Sequence, residues 1–296
     1  MKTLLLLDPG DRSVETKNFY LTVFNTISNY TRVKYFYSDL EYLGDYYIDC
    51  YNNEVDEQYQ RQFAEELSNY QDYDLVITNS PNQIVREVFD YVLNLTIGIY
   101  SRPPFKLQLQ LDPWGIFGKS LTFNAPKYVE PNHDIAFQFR NENQHHMVDQ
   151  YKGISLFPFN SHYWPSKVFL YKSYFEYYKE FEQKYSNTCY TKKPSFNVDG
   201  LGHTFDYDYF DLLPEDKCID IDSSLIVPNC DNIWVSHSTL GFQAALWGVN
   251  IDSPSLFKDW TGDQVGTAGG LLDLVWFTDK QTFFDRVEKL KDYVRY

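Results

Sequence analysis

The stretch Asn232–Asn250, N-I-W-V-S-H-S-T-L-G-F-Q-A-A-L-W-G-V-N, joins an apolar run to a Ser/Thr-rich turn and then to a helical pattern with small residues. The run Ile233–Ser236 predicts a buried strand, and Thr239–Leu246 predicts the helix that follows it. Such a turn directs free backbone N–H groups, hydroxyls and the positive end of a helix dipole toward one spot. The stretch therefore predicts an anion site. The alternative is that Ser238 or Thr239 only caps its own helix.

The same alternation of strand and helix runs through the rest of the chain. Strands are predicted at Thr3–Leu7, Val33–Tyr37, Asp74–Thr78, Leu95–Tyr100, Ile154–Phe159, Thr188–Thr191 and Ile219–Asp222. Helices are predicted at Gln58–Leu67, Ile84–Leu93, Val168–Tyr185 and Phe283–Tyr293. This order favours an α/β fold with parallel strands and helices on the faces of the sheet, and it places ligands at the carboxyl ends of the strands.

The length of 296 residues suits two α/β lobes of roughly 100–150 residues each. Between the two halves the sequence changes character. Pro103-Pro104 and Asp112-Pro113-Trp114-Gly115 interrupt regular structure, and the polar stretch Asn141–His146 predicts a surface loop or linker. We therefore predict one lobe at residues 1–149 and a second at residues 150–296.

Composition limits the classes of function. The formal net charge of -15 would repel a phosphate backbone, so nucleic acid is a disfavoured partner, although a local basic groove stays open. The run Leu4–Leu7 is cut short by Asp8, and no stretch reaches the roughly 20 apolar residues of a membrane span. The four cysteines lack the spacing of a zinc site or a disulfide framework, which favours a reducing cytoplasm.

Residues 237–250 resemble a segment of the bacterial capsular-polysaccharide biosynthesis glycosyltransferases, the family that includes Kdo transferases. Members carry N-S-T-x-G-x-E-A-L-x-x-G-x-P-V, and in this chain His237 replaces Asn, Gln243 replaces Glu and Asn250 replaces Pro. The resemblance implies a GT-B-type enzyme of two Rossmann-like lobes with a cleft between them. It also implies transfer of a sugar from a nucleotide-sugar, such as CMP-Kdo, to a glycan or glycolipid. The change at Gln243 leaves UDP-, GDP- and other CMP-sugars open.

Two further segments look like the same family. Gly98–Phe123 is similar to a segment in which a turn leads to L-D-P-x-G, with Ser101-Arg102 where the family has an acidic residue. Cys189–Pro194 is similar to a K-x-H-P turn, with Lys193 in place of His. The resemblance thus implies a set of nucleotide-sugar-binding residues. They are Ser236, His237, Ser238, Thr239, Gly241, Gln243, Lys193 and Arg102.

Sugar transfer needs a group that deprotonates the acceptor hydroxyl, and dipoles or cations that stabilise the leaving phosphate. Asp112 is the first candidate for the catalytic carboxylate, because it lies in a Pro/Gly-rich turn; the alternative is that it caps this turn. Asp8 and Asp11, which follow the first strand, are the next candidates, and His133 is a further one.

We expect no metal and no cofactor apart from the nucleotide-sugar substrate. Metal-dependent transferases use an Asp-x-Asp pair to chelate the ion that binds the diphosphate. Asp206-Tyr207-Asp208 and Asp220-Ile221-Asp222 have that spacing, but an acidic chain produces such pairs by chance, and neither pair lies in the first lobe. His145-His146 is interpreted as part of a polar loop, since a metal site needs three or four converging groups.

Two other functions stay open. The first is a phage-type glycosyltransferase that acts on modified DNA bases, which would need a basic, aromatic-lined groove. The second is a non-catalytic sugar-binding protein with a degenerate transferase fold. The replacements at Gln243 and Lys193 favour this second alternative.

Overall fold

The computed structural model describes residues 3–7, 33–37, 64–65, 67–78, 83–100, 104–106, 108–115, 120–159, 170–192 and 212–294. In chain order the strands are β1 Thr3–Leu7, β2 Val33–Tyr37, β3 Leu75–Thr78, β4 Val92–Ile97, β5 Leu109–Asp112, β6 Ser155–Pro158, β7 Thr188–Thr191, β8 Asn232–Trp234, β9 Asn250–Asp252 and β10 Trp276–Phe277. The α-helices are α1 Gln83–Val88, α2 Ala125–Tyr128, α3 His133–Asn143, α4 Tyr174–Lys184, α5 Ser223–Ile226, α6 Leu240–Trp247, α7 Gln264–Leu274 and α8 Lys280–Leu290. Short 3₁₀ turns lie at Gln144–His146, Asp149–Tyr151, Glu215–Lys217, Val227–Asn229 and Lys291–Tyr293.

The chain forms two compact units, and neither is one continuous stretch of sequence. The first unit comprises Met1–Ile97, Leu109–Leu121 and Val275–Tyr296. The second comprises Gly98–Gln108 and Thr122–Leu274. This grouping differs from the predicted division at residue 149. Residues 122–149 pack within the second unit through α3, and the last residues pack within the first through β10 and α8.

The first unit is built on a six-stranded sheet of order β10-β5-β4-β3-β1-β2. β1 to β4 pair in parallel, whereas β5 runs antiparallel to both β4 and β10. All four residues of β3 are buried, as expected for an inner parallel strand that is covered on both faces. Leu4 of β1 and Val76 of β3 pack with Leu67, Val85 and Phe89 in an apolar core.

Side-chain hydrogen bonds join α8 to β10 and attach these C-terminal residues to the rest of the first unit. Arg286 of α8 donates from Nε to the carbonyl of Trp276 at 3.0 Å. Tyr91 Oη donates to the carbonyl of Val287, and Trp114 Nε1 donates to that of Tyr293 at 2.6 Å. The end of the chain is therefore an integral part of the first unit.

The second unit carries an all-parallel sheet of order β7-β6-β8-β9. Aromatic residues fill the core on one side of it, where Phe157 stacks on Trp234 at 4.5 Å and packs edge-on against Tyr178 of α4 at 5.5 Å. α4 begins at a capping box in which the Ser173 hydroxyl accepts from the Glu176 N–H, and the Glu176 carboxylate accepts from the Ser173 N–H. The frequent Tyr and Phe residues therefore build much of this core.

α3 and α7 pack closely in the second unit because α7 presents glycine to its neighbour. A Cβ on Gly269 would lie 1.9 Å from the Asn132 carbonyl oxygen, and one on Gly270 would lie 2.3 Å from that of Glu130. Asn132 also caps α3, since its Oδ1 accepts from the Ile135 N–H at 3.2 Å. These contacts hold a polar sequence in a helix.

The structure confirms most of the predicted strands and helices that fall on the described residues, and corrects three predictions. The helix predicted at Ile84–Leu93 ends at Val88, and β4 spans Val92–Ile97 in place of the predicted Leu95–Tyr100. Asn141–His146 is not a loop or linker, because it completes α3 and continues into a 3₁₀ turn. Ile219–Asp222 is not a strand. Cys218 makes only an isolated bridge to Tyr190, and Asp222 instead caps α5 through the Ser224 N–H.

Candidate anion-binding site

The turn that follows β8 lies at the carboxyl end of an inner strand of the parallel sheet, between β6 and β9. This is the place where open α/β sheets bind ligands. Val235 extends the pairing beyond β8, because its N–H donates to the Asp252 carbonyl at 3.0 Å. Ser236 is completely buried, and its carbonyl accepts from the Ser255 hydroxyl at 3.2 Å. The chain is thus held firmly up to the point where it turns toward α6.

Ser236 and His237 form a buried polar pair at this turn. The Ser236 hydroxyl and His237 Nδ1 are 2.7 Å apart, and which of them donates depends on the tautomer of the imidazole. His237 is 8% exposed. The hydrogen bond fixes the orientation of the imidazole next to the start of α6, where a protonated ring would add positive charge.

The first turn of α6 leaves some hydrogen-bonding groups unused. The Leu240 N–H donates to the Ser238 hydroxyl at 3.3 Å, and the Gly241 N–H donates to the Ser238 carbonyl at 3.0 Å. Thr239 stands at the N-cap position with helical φ and ψ of -57 and -18, and its side chain makes no capping bond. Within the described residues, no hydrogen bond engages the backbone N–H of Ser238 or Thr239, or the Thr239 hydroxyl.

The Ser238 hydroxyl therefore caps the helix, as the alternative interpretation had it, but capping does not use all the donors. Two N–H groups and a hydroxyl remain at the positive end of the α6 dipole. Ser238 and Thr239 are partly exposed, so a ligand can reach these donors. Free N–H groups at the N-terminus of a helix can bind an anion.

Gln243 occupies a different environment from the one that the family resemblance implies. It is 2% exposed, and its Nε2 donates to the carbonyl of Ile99 at 2.8 Å. Its Oε1 is buried without a hydrogen-bond partner among the described residues. One turn later on the same helix, Trp247 Nε1 donates to the Tyr100 hydroxyl at 2.9 Å. Both side chains thus hold residues of the chain itself.

Gly241 has a steric role in this unit. A Cβ at this position would lie 2.3 to 2.6 Å from ring atoms of Phe257. The neighbouring Phe242 packs against the same ring at 4.8 Å and against Trp260 at 5.4 Å. Glycine therefore allows α6 to rest directly on an aromatic ring, which fixes the depth of the helix in the unit.

Asp112 lies at the end of β5 in the first unit and is completely buried. Its Oδ1 accepts the backbone N–H groups of Trp114 at 2.9 Å, Gly115 at 3.2 Å and Leu121 at 3.0 Å. One carboxylate oxygen thereby holds the backbone of Trp114 and Gly115 and also that of Leu121. This geometry is that of the turn-capping alternative.

Arg86 supports the same turn from α1. Its guanidinium donates to the carbonyl of Pro113 and to Oδ1 of Asn94. Burial lowers the pKa of Arg86, while the negative charge of Asp112 acts to raise it. The partly buried guanidinium of Arg86 and the buried carboxylate of Asp112 thus attract each other near the end of β5.

The other predicted site residues are distributed as follows. Asp8, Asp11, Arg102 and Lys193 lie outside the described residues. His133 begins α3 on the surface and pairs with Asp263 through Nε2 and Oδ2 at 2.8 Å. Among the predicted site residues that the structure describes, it therefore brings together those from Ser236 to Gln243, which are neighbours in sequence.

Metal binding receives no support from the part of the chain that is described. No group of three or more His, Cys, Asp or Glu side chains among these residues could hold an ion. Asp222 is engaged as the cap of α5, while the pair Asp206 and Asp208 falls outside the described ranges. Likewise, no helix among the described residues is long and apolar enough to cross a membrane.

The sequence did not reveal the residues that form hydrogen bonds with α6 from elsewhere in the second unit. Ile99 and Tyr100 receive the two donors of the helix, and Arg140 donates from Nε to the Leu246 carbonyl at its C-terminal end. The available signal was the spacing of Gln243 and Trp247, since residues four apart lie on one face of a helix.

Comparisons with known proteins give a likeness of structure only. No family model matches the sequence, and no curated protein matches it significantly. Among solved structures, Thermosulfurimonas dismutans KpsC, a beta Kdo 2,7 transferase, aligns with a TM-score of 0.53 and 16% identity, covering 99% of each chain. The chain has the fold of this KpsC transferase. The beta Kdo 2,4 transferase of the same organism's KpsC aligns with a TM-score of 0.47 and 15% identity, over 67% of this chain and 79% of that one.

The KpsC-like fold agrees with the mixed α/β architecture and parallel sheets that the sequence predicts. A likeness at this identity says nothing about which donor or acceptor this chain uses.

Proposed function

We propose that this chain is a glycosyltransferase that binds the phosphate of a nucleotide-sugar at the start of α6 and transfers the sugar to a glycan or glycolipid acceptor. The observation that carries the proposal is the pair of unengaged N–H groups at Ser238 and Thr239, at the carboxyl end of an inner parallel strand. The KpsC-like fold and the resemblance of residues 237–250 to capsular transferases support it. The proposal includes a GT-B arrangement of two Rossmann-like lobes with a cleft.

The chemistry of this site suits a leaving phosphate. Cleavage of the bond between sugar and phosphate develops negative charge on the phosphate oxygen, and preorganised N–H donors stabilise that charge. The dipole of α6 adds to this effect, and so does His237 when it is protonated. These groups supply the electrostatic stabilisation that a metal ion gives in other transferases, so the proposed reaction is metal-independent.

The proposed base for the acceptor hydroxyl is Asp8 or Asp11. Asp112, the first candidate from sequence, is completely buried and uses Oδ1 for three backbone N–H groups. A general base has to come within hydrogen-bond reach of the hydroxyl that it deprotonates. The carboxylates after β1 are the remaining predicted candidates. A CMP-Kdo-like donor, a cytoplasmic location and a part in capsule synthesis complete the proposal.

Thermal-shift measurements on the purified protein test the phosphate site. The ligands are CMP, UDP, GDP and ADP, because a ligand that binds only the folded state raises its melting temperature, by about 2.7 kcal/mol of added stability at a hundred times Kd. We expect one nucleotide class to stabilise the protein most, and the others, which carry the same phosphate, to stabilise it less, with or without EDTA. If none stabilises it, the proposed site is wrong; if EDTA abolishes the shift, metal independence is wrong.

Three variants locate the binding. Thr239→Pro removes an N–H group and a hydroxyl at a residue whose φ of -57 already suits proline. Ser238→Ala removes the capping hydroxyl. Ser68→Ala is the matched control, since its hydroxyl bonds only the Glu65 carbonyl on an exposed surface of the first unit. We expect Thr239→Pro to lose the stabilisation, Ser238→Ala to weaken it and Ser68→Ala to keep it.

A further inference from the structure

The second unit contains a short segment, residues 98–108, that connects β4 to β5 and packs on α6. Its two ends are joined, because the Gly98 N–H donates to the Gln108 carbonyl at 3.0 Å and the Gln108 N–H donates to the Tyr100 carbonyl at 2.8 Å. The join is tight, since a Cβ on Gly98 would lie 2.8 Å from the carbonyl carbon of Gln108. Backbone hydrogen bonds therefore hold Gly98 and Tyr100 next to Gln108.

Aromatic stacking fixes this segment against the rest of the second unit. The Tyr100 ring is stacked with Phe105 at 4.0 Å and with Phe139 of α3 at 5.5 Å. Phe105 also contacts the His146 ring edge-on at 5.5 Å. Burial raises the pKa of Tyr100, so its hydroxyl stays neutral and can accept the indole N–H of Trp247. The segment thus presents two fixed acceptors to α6.

Those acceptors belong to consecutive residues, and the donors lie one turn apart on α6. The Gln243 amide reaches the Ile99 carbonyl, and the Trp247 indole reaches the Tyr100 hydroxyl. On another side α6 rests on Phe257 through Gly241. The ring contact sets the depth of the helix, whereas the two hydrogen bonds restrict its sliding along its axis and its rotation.

We infer that Gln243 is a positioning residue and not a nucleotide contact: with Trp247 it locks the 98–108 segment to α6 and so fixes the place of the free N–H groups of Ser238 and Thr239. The inference rests on the proposed phosphate site. The donor N–H of Gln243 faces the Ile99 carbonyl and the side chain is buried, so any ligand contact would have to use Oε1.

Positioning and direct contact give different binding patterns. A shift of the helix start weakens every ligand that carries the same phosphate, whatever its base. Loss of a direct contact from Oε1 to a base or sugar weakens one nucleotide more than the others. The ratio of affinities between nucleotides therefore separates the two roles. Loss of a positioning residue leaves this ratio unchanged, whereas loss of a ligand contact changes it.

The variants are Gln243→Met, which keeps the volume and removes the donor, and Trp247→Phe, which removes the indole N–H. Gln264→Met is the matched control for the first, because Gln264 Nε2 also donates to a backbone carbonyl, that of Trp260, at 2.5 Å. Trp276→Phe is the control for the second, since its indole bonds Gln110 at 3.0 Å in the other unit.

Calorimetric titration with CMP, UDP, GDP and ADP measures binding. For each nucleotide that the unmodified chain binds, we expect Gln243→Met and Trp247→Phe to raise Kd by about threefold to tenfold, the loss of one or two hydrogen bonds, with the same factor for all. The controls keep Kd within about twofold. A change confined to one nucleotide would assign Oε1 to the ligand and overturn the inference. An unchanged Kd in both variants would also overturn it.

Hydrogen exchange followed by mass spectrometry tests the lock without any ligand. We expect Gln243→Met and Trp247→Phe to speed exchange in peptides that cover residues 97–108 and 236–248, and the two controls to leave these peptides unchanged. Faster exchange in a protein that binds no nucleotide would refute the proposed function and keep the lock. Unchanged exchange would refute the lock, whatever the protein binds.

Discussion

Substitutions of Asp112 test whether its carboxylate holds the backbone in place or takes part in catalysis. Asp112→Ala removes the acceptor of three backbone N–H groups, from Trp114, Gly115 and Leu121. It also leaves the partly buried guanidinium of Arg86 without its nearest negative charge. Asp112→Asn keeps an Oδ1 acceptor of nearly the same shape, removes the charge and replaces the second carboxylate oxygen by an NH2 donor.

The magnitude follows from these contacts. An unsatisfied buried N–H group costs about 1–3 kcal/mol, and removing one partner of a buried ion pair costs about 3–5 kcal/mol. The effects overlap, because a freed turn can reach water, so we expect Asp112→Ala to lower the free energy of unfolding by about 3–5 kcal/mol. For Asp112→Asn we expect about 1–2 kcal/mol, the lost charge pairing alone.

Urea unfolding measured by tryptophan fluorescence, together with sugar transfer in the folded variants, provides the assay. The midpoint should fall strongly for Asp112→Ala and slightly for Asp112→Asn, and Asp112→Asn should retain transferase activity. Two results would refute the reasoning. One is an Asp112→Ala midpoint equal to that of the unmodified chain. The other is an Asp112→Asn protein that is stable and inactive, which would return Asp112 to the catalytic role.

Three further outcomes test the packing and the titrations. Gly241→Ala should lower the free energy of unfolding in urea by about 1–3 kcal/mol, because its Cβ would meet Phe257 at 2.3 to 2.6 Å; an unchanged urea midpoint contradicts this. Burial raises the pKa of Cys230 to about 12, so iodoacetamide at pH 8.5 should label it only in urea, as peptide mass spectrometry will show. Burial acts to raise the pKa of Glu182, but hydrogen bonds from Lys217 and a second lysine outweigh it, so the net pKa is lowered. The resulting stability, under about 1 kcal/mol after solvent screening, is present above about pH 4.5 and is lost as the pH falls below that value. Glu182→Gln should flatten that loss in melting curves taken at successive pH values.

Hydrophobic periodicity predicted those strands and helices whose sequence pattern matches their environment in the fold. Thr188–Thr191 and Thr3–Leu7 are strands with the predicted bounds, and both pair with parallel neighbours. α3 escaped prediction, since its polar sequence is helical owing to the Asn132 cap and the glycine surface of α7. Part of what stabilises this helix lies on a neighbouring element, so the sequence of the helix alone does not predict it.

The sequence predicts the position of the candidate site but not the long-range contacts of its residues. The strand, turn and helix around Ser238 are contiguous in sequence, so their geometry is local and predictable. The partner of Gln243 is Ile99, far away along the chain, and no local pattern specifies it. The resemblance between short motifs predicts that Gln243 contacts the nucleotide, whereas in the structure its side-chain N–H donates to the Ile99 carbonyl.

The placement of β10 has a consequence for synthesis on the ribosome. β5 lies between β4 and β10 in the first unit, and β10 is made roughly 160 residues after β5, a delay of about ten to thirty seconds at ordinary rates of translation. Until then the backbone of Leu109–Asp112 has one partner strand and one open side, which is a place for misplaced pairing with other chains. The nascent protein therefore depends on residues made long after β5 to cover the open edge of that strand.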